Sequence, residues 1–341
     1  MSGEVFRPSL RRVGGVRAPL PQLGLGVLAV GVGLFALQHL GRAAEWAGRG
    51  QLFATIFLGI FIEALPFLLL GVVASATIQL VVSPAWLQRF SPRSPFLAAL
   101  LGATLGLFCL PVCECGTVPA TRRLLAKGAP LPLSVAFLLA APAVNPVVIV
   151  STWIAFNGQP LFVFGRLGLT IVIATVAGVA LGAHPRPQQV IVPFASDDDH
   201  AACHVGQGRL AHFLDHARDE FFEMGRFLVI GAAIAAAFQT IVPRQALLAL
   251  GQGPLISILV LMALAIILSI CSTVDAFVAL AFAGSFLPGA TLAFLVFGPM
   301  IDIKSVLLFT TIFRRRTVLL LVLLTTQLVI LASVLINLFV G

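Results

Sequence analysis

Apolar runs of membrane-spanning length follow one another along most of this chain, separated by short polar loops. A helical crossing needs about 20 predominantly apolar residues, with about 17 as the lower limit. Runs of that order are 23–40, 52–82, 95–112, 133–156, 161–183, 220–242, 254–271, 289–312 and 317–340. Two shorter pieces, 116–128 and 275–287, fall between them. As helices these reach roughly 20 Å, short of a hydrocarbon core of about 30 Å, so each must be a half-helix or re-entrant turn shielded by protein. The pattern predicts an all-α, polytopic membrane protein with about nine full-length spanning helices plus two short broken or re-entrant ones.

Polar residues interrupt these runs at matching places. Leu110-Pro-Val-Cys-Glu-Cys-Gly-Thr-Val-Pro119 and Ala136-Phe-Leu-Leu-Ala-Ala-Pro-Ala-Val-Asn-Pro146 carry thiols, a carboxylate, an amide and several prolines. Cys271-Ser-Thr-Val-Asp275 echoes Cys115-Gly-Thr-Val-Pro119, and Ala293 to Asp302 echoes Ala136 to Asn145. Upstream, Phe61-Ile-Glu63 to Gly71 matches Phe221-Phe-Glu223 to Gly231 without a gap. The same polar landmarks recur in the same order, which predicts two copies of one unit. Residues 1–50 then form a polar arm and an extra first membrane helix. Residues 51–183 are the first repeat, 184–219 a His/Asp-rich linker and 220–341 the second repeat.

Composition sharpens the picture. The chain is 59% hydrophobic and only 10% charged, against about 25% charged in a soluble domain. Its net charge of +8 does not call for nucleic acid, because the arginines sit largely in short loops, where they set topology. Counting loop Lys and Arg favours an arrangement in which each short piece carries the chain across. That places the N-terminus and the linker in the cytoplasm and inverts the second copy relative to the first, as in many secondary transporters. Arg122 and Arg123 then fall inside a crossing and need acidic partners or a water-filled cavity. Asp197-Asp-Asp-His200, Cys203, His204, His212 and His216 give the linker metal-compatible spacing, though a solvated linker explains them as well.

Ionisable groups at membrane depth cost at least about 2.5–3.5 kcal/mol on insertion scales and mark pathways. Glu63 and Glu223 hold equivalent places before Gly71 and Gly231, glycines that allow close helix contact, and suit proton coupling or pairing with an arginine. Asn145-Pro146 and Asp302-Ile-Lys304 follow Pro142 and Pro299, each of which interrupts helix hydrogen bonding. They are candidates for a midplane binding site, with simple kink-capping as the plainer reading. Cys113, Cys115 and Cys271 are candidate soft-metal or metalloid ligands, and Asp275 stands beside them; inert packing is the alternative for the thiols. No phosphate-binding loop or hydrolase motif occurs, so the reading is neither an enzyme nor a self-powered ATPase, and no cofactor is called for.

Cys113 to Pro130, Ala136 to Pro146, Cys271-Ser-Thr-Val-Asp-Ala-Phe277 and Phe297-Gly-Pro-Met-Ile-Asp-Ile-Lys304 resemble the YraQ/ArsP-type predicted permease family. The resemblance covers roughly residues 52–340. It implies a multi-pass permease of the bacterial inner membrane, some members of which export trivalent organoarsenicals. Together, the residues and the resemblance predict a secondary-active permease exporting a soft metal, metalloid or organometalloid species by proton antiport. Cys113, Cys115, Asn145, Pro146, Cys271, Asp275, Asp302 and Lys304 would contact substrate, and Glu63 and Glu223 would exchange protons. Export of a small organic or anionic solute, or a non-transporting membrane anchor subunit, are the alternatives. Expected partners are lipid, the thiophilic substrate and protons, with self-association left open.

Overall fold

The computed structural model describes residues 48–73, 75, 77, 91–108, 113–183, 190–192, 209–241 and 253–340. The chain divides into two compact units, Met1–Gln51 and Leu52–Gly341. The predicted first membrane run, 23–40, lies outside the described residues, nearly all of which belong to the second unit. The described elements are helices, with one isolated antiparallel bridge between Ile191 and Phe313.

In the N-terminal half (48–183) the helices are α1 (Gly48–Val73), α2 (Pro95–Leu105), α3 (Glu114–Ala126), α4 (Leu131–Val144), α5 (Pro146–Ala155) and α6 (Pro160–Gly182). In the C-terminal half (209–340) they are α7 (Arg209–Ile241), α8 (Pro254–Leu268), α9 (Asp275–Ala283), α10 (Pro288–Met300), α11 (Ile303–Phe309) and α12 (Arg315–Val340). Length follows the same order twice: long, short, short, broken, long. Proline opens α2, α4, α5, α6, α8 and α10 within their first two positions, where its missing N–H costs nothing and its fixed φ suits the first turn.

Eight of the nine expected runs fall mainly on described residues, and six helices there are long and apolar enough to cross a membrane: Gly48–Val73, Leu131–Ala155, Pro160–Gly182, Ala217–Ile241, Pro288–Phe309 and Arg315–Phe339. The runs 95–112 and 254–271 yield helices of only 11 and 15 residues. Ser269 turns the chain at the end of α8 by taking a left-handed conformation, φ 45°. Hydropathy alone does not register that stop.

Burial sorts the spans. In the broken pairs α4–α5 and α10–α11, 78% of the apolar window is buried inside the protein, against 22% for α12. The broken helices are therefore central, and α12 shows most of its surface to lipid. α2, α4 and α6 pack as one triplet and α8, α10 and α12 as another, joined where α10 meets α4 and α6 and where α12 meets α6. Each short helix packs on the broken helix of its own half and reaches the second segment of the other: α3 touches α4 and α11, and α9 touches α10 and α5.

Close approach of backbones makes this crossing feasible. Gly71 of α1 lies directly against the backbone of Gly116 in α3, and Gly231 of α7 against Lys304 in α11. A Cβ at Gly71 has no space, whereas one at Gly59 meets nothing within 4 Å. Gly71→Ala is expected to destabilise the protein by about 1–3 kcal/mol through overpacking, with Gly59→Ala neutral or slightly stabilising. Thermal unfolding in detergent reads both; equal behaviour of the two variants contradicts the α1–α3 contact.

Candidate substrate site at the helix breaks

The breaks follow from proline chemistry. Pro146 has no N–H to give the carbonyl of Pro142 four residues back, so that carbonyl is left over. It accepts instead from Ser272 Oγ at 2.8 Å and Asn145 Nδ2 at 3.3 Å. The first of these bonds comes from the opposite half. Asn145, held extended before Pro146, caps α5 by accepting from Val148 N at 2.9 Å. In the C-terminal half Pro299 interrupts α10, and Asp302 caps α11 by accepting from Ser305 N at 2.6 Å. Ser269 Oγ accepts from Ile303 N at 3.3 Å.

Next to the second break lies a small, partly open cavity of about 10 Å³, close to the volume that one water needs. Cys113, Glu114 and Cys115 from the start of α3, Ser269 and Cys271 from the turn after α8, Glu63 from α1 and Lys304 from α11 line it. Both halves of the chain contribute. The three thiols are buried, and Cys113 is the N-cap of α3. Lys304 Nζ stands 3.5 Å from Asp302 Oδ2. Glu63 Oε1, Glu114 Oε1 and Asp302 Oδ2 are buried without a hydrogen-bond partner among the described residues. Three carboxyl groups surround one ammonium, and unsatisfied carboxylates are expensive away from water. A site so loaded with acid can take up protons or a cationic ligand.

Outside this cavity, buried and half-buried charges pair across the halves. Arg166 of α6 donates to Asp275 Oδ1 and Oδ2 at 2.9 and 2.7 Å, to Thr152 Oγ1 at 3.0 Å and to the Ser272 carbonyl at 3.2 Å. On the other side, Arg122 of α3 meets Glu223 of α7 at 2.9 Å, and Arg123 Nε lies 3.9 Å from Glu220, which also accepts from Ser75 Oγ at 2.8 Å. Arg122 and Arg123 thus have acidic partners, the arrangement that a position inside a crossing demands.

Of the residues singled out from sequence, Cys113, Cys115, Cys271, Lys304 and Glu63 come together around the cavity. Asp302 adjoins it through Lys304. Asn145 and Asp302 cap helix segments, and Pro146 begins α5. Asp275 is held by Arg166, and Glu223 sits in the Arg122 pair, so Glu63 and Glu223 occupy different environments despite their equivalent places in sequence. Among the described residues no group of three or more His, Cys, Asp or Glu side chains is placed to hold a metal ion; the three thiols share a wall without forming such a set. The Asp197 to His204 segment lies outside the described residues. Glu114, Ser269 and the partners of Asp275 were not picked out as site residues. Glu114 was legible, since it stands between two candidate thiols; Ser269 had no local signal.

This arrangement, with buried broken helices, short helices exchanged between halves and a polar cavity at their junction, defines a multi-pass helical membrane protein of the permease class. The chain belongs to the ArsP_1 family, described as predicted permeases, whose model matches residues 51–338. It is 45% identical over 285 residues to the UPF0718 protein YcgR of Bacillus subtilis (strain 168), covering 83% of this chain and 96% of that one. It is 37% identical over 266 residues to a putative two-component membrane permease complex subunit of Streptococcus mutans serotype c (strain ATCC 700610 / UA159), covering 76% and 86%. No solved structure matches.

The two caps carry different charges and so predict different costs. Asn145→Ala removes a neutral cap, about 1 kcal/mol. Asp302→Ala removes a cap and also leaves Lys304 buried without its nearest counter-charge, about 3–5 kcal/mol. Unfolding in detergent is expected to rank Asp302→Ala well below Asn145→Ala, with Asp302→Asn between them; equal losses contradict the buried Lys304–Asp302 pairing.

Proposed function

We propose that this chain is a secondary-active permease that exports a small thiophilic metal, metalloid or organometalloid species in exchange for protons. The observation that carries the reading is the composition of the cavity. Three thiols and two carboxyl groups, against one ammonium, face one small space built from both halves of the chain. Thiols are selective for soft species, and carboxyl groups at membrane depth are the usual carriers of coupled protons. Cys113, Cys115 and Cys271 contact the substrate, Glu63 and Glu114 exchange protons, and Lys304 with Asp302 balances charge as they do so. The absence of a three-ligand metal set among the described residues favours a substrate held by one or two thiols at a time over a fully coordinated ion.

In this reading substrate reaches the cavity by alternating access, with inverted repeats rocking about the helix breaks. The family resemblance supports a multi-pass protein of the bacterial inner membrane, and the loop-charge count supports an N-terminus and linker in the cytoplasm. Eight of the nine expected crossings fall in the two halves, six as long helices and two resting on the 11- and 15-residue helices α2 and α8. A second reading takes its support from the streptococcal relative, named as a subunit of a two-component permease complex: the chain works with a separate partner subunit.

Reconstitution in vesicles under a proton gradient, with a trivalent methylarsenical as substrate, tests both. The wild-type chain is expected to move the arsenical and dissipate the gradient. Cys113→Ser/Cys115→Ser/Cys271→Ser is expected to lose about tenfold or more of that flux, equivalent to about 1.4 kcal/mol of contact. Flux undiminished in the triple variant refutes the thiol role, and flux appearing only after a second subunit is added selects the two-subunit reading.

A further inference from the structure

α6 and α12 come from different halves and pack side by side. Between them runs an open groove of about 870 Å³, lined at one end by Arg314, Arg315 and Arg316 and along its length by Leu181, Leu320 and Leu323, as far as Gln327. From Arg315 to Gln327 the helix climbs about 18 Å at 1.5 Å per residue. One leaflet's share of a hydrocarbon core of about 30 Å is about 15 Å, so the groove is about one leaflet deep.

Its arginine end is arranged for an anion. All three arginines are exposed, and among the described residues no carboxylate pairs with them. They sit at the head of α12, where the helix dipole is already positive, so three cations there are at the unfavourable end unless a negative group joins them. The N–H groups of Arg315 and Arg316 have no acceptor among the described residues, while the next two donors, Thr317 and Val318, are taken by the Arg314 carbonyl. Free helix donors and three guanidiniums at the same end of one groove are the chemistry that holds a phosphate. The rest of the groove is unlike a site for a free ion, because leucines line it.

We propose that this groove binds one anionic phospholipid, with its phosphate against Arg314, Arg315 and Arg316 and an acyl chain lying over Leu320 and Leu323. A free phosphate would leave the apolar length uncovered, and a neutral lipid would leave the arginines without a counter-charge. A short loop of three arginines between apolar runs belongs on the cytoplasmic side by the positive-inside rule, and basic pockets between helices at that face are suited to anionic headgroups. Because the groove walls come from both halves, the bound lipid braces their seam. The inference needs only the membrane location of the chain and is independent of what it transports.

The test is thermal unfolding and native mass spectrometry of the full-length protein in detergent. The added probes are palmitoyl-oleoyl phosphatidylglycerol, phosphatidylcholine with the same chains, or inorganic phosphate. Phosphatidylglycerol is expected to raise Tm by about 4 °C or more and to be retained at one molecule per chain, with phosphatidylcholine and phosphate doing neither. Arg314→Gln/Arg315→Gln/Arg316→Gln is expected to abolish both effects, and Arg314→Lys/Arg315→Lys/Arg316→Lys to keep most of them. Equal stabilisation by phosphatidylcholine, equal stabilisation by phosphate, or retention of phosphatidylglycerol by the glutamine variant overturns the proposal. The wild-type comparison decides the matter even if the glutamine variant does not fold.

Discussion

The Arg166–Asp275 ion pair is the constraint around which the rest of the structure is arranged. Both side chains are almost wholly buried, at 2% and 4% exposure, where an unpaired charge is prohibitive. Arg166 lies in α6 of one half, and Asp275 opens α9 in the other. The fork of the guanidinium takes both carboxylate oxygens, the Thr152 hydroxyl and the Ser272 carbonyl, so it fixes the turn from Cys271 to Asp275 as well as the helix after it. Cys271 and the cavity wall owe their position to that turn. The pair is weak evidence for net stability, since desolvating two charges offsets much of their attraction, but it is strong in specifying which segments meet.

The helix breaks supply the other half of the design. Proline removes hydrogen bonds inside an apolar span, and the carbonyls so released must be satisfied by something other than water. Here Ser272 of one half satisfies the Pro142 carbonyl of the other, and Asn145 and Asp302 restart their helices as N-caps. Polar side chains required by the backbone are thereby gathered at the two breaks. The cavity, with its thiols, carboxyl groups and one lysine, sits beside the break at Asp302. Backbone economy and the placement of a binding site have a common cause.

Much of this was legible in the chain. Prolines at 142, 146 and 299 announced the breaks, the length of 116–128 and 275–287 announced short shielded helices, and repeated Cys, Glu and Gly positions pointed to the residues that meet around the cavity. The rest depended on tertiary partners far apart in sequence. Nothing local connects Arg122 with Glu223, 101 residues away, or Arg166 with Asp275, 109 residues away. Glu63 and Glu223, equivalent in sequence, have different neighbours: one lines the cavity and the other pairs with an arginine of α3. The runs 95–112 and 254–271 give helices too short to count as spans because apolar composition continues past Leu105 and Leu268 while the helices end there.

The most direct test of the junction between the halves is a double-mutant cycle at the central pair, comparing Arg166→Leu, Asp275→Leu and the combined variant by unfolding in detergent. Each single change leaves a buried charge without its partner and is expected to cost about 3–5 kcal/mol, while the combined change removes both charges and costs less than either alone. Costs that simply add would mean that the two residues do not meet, and that the halves join in some other way.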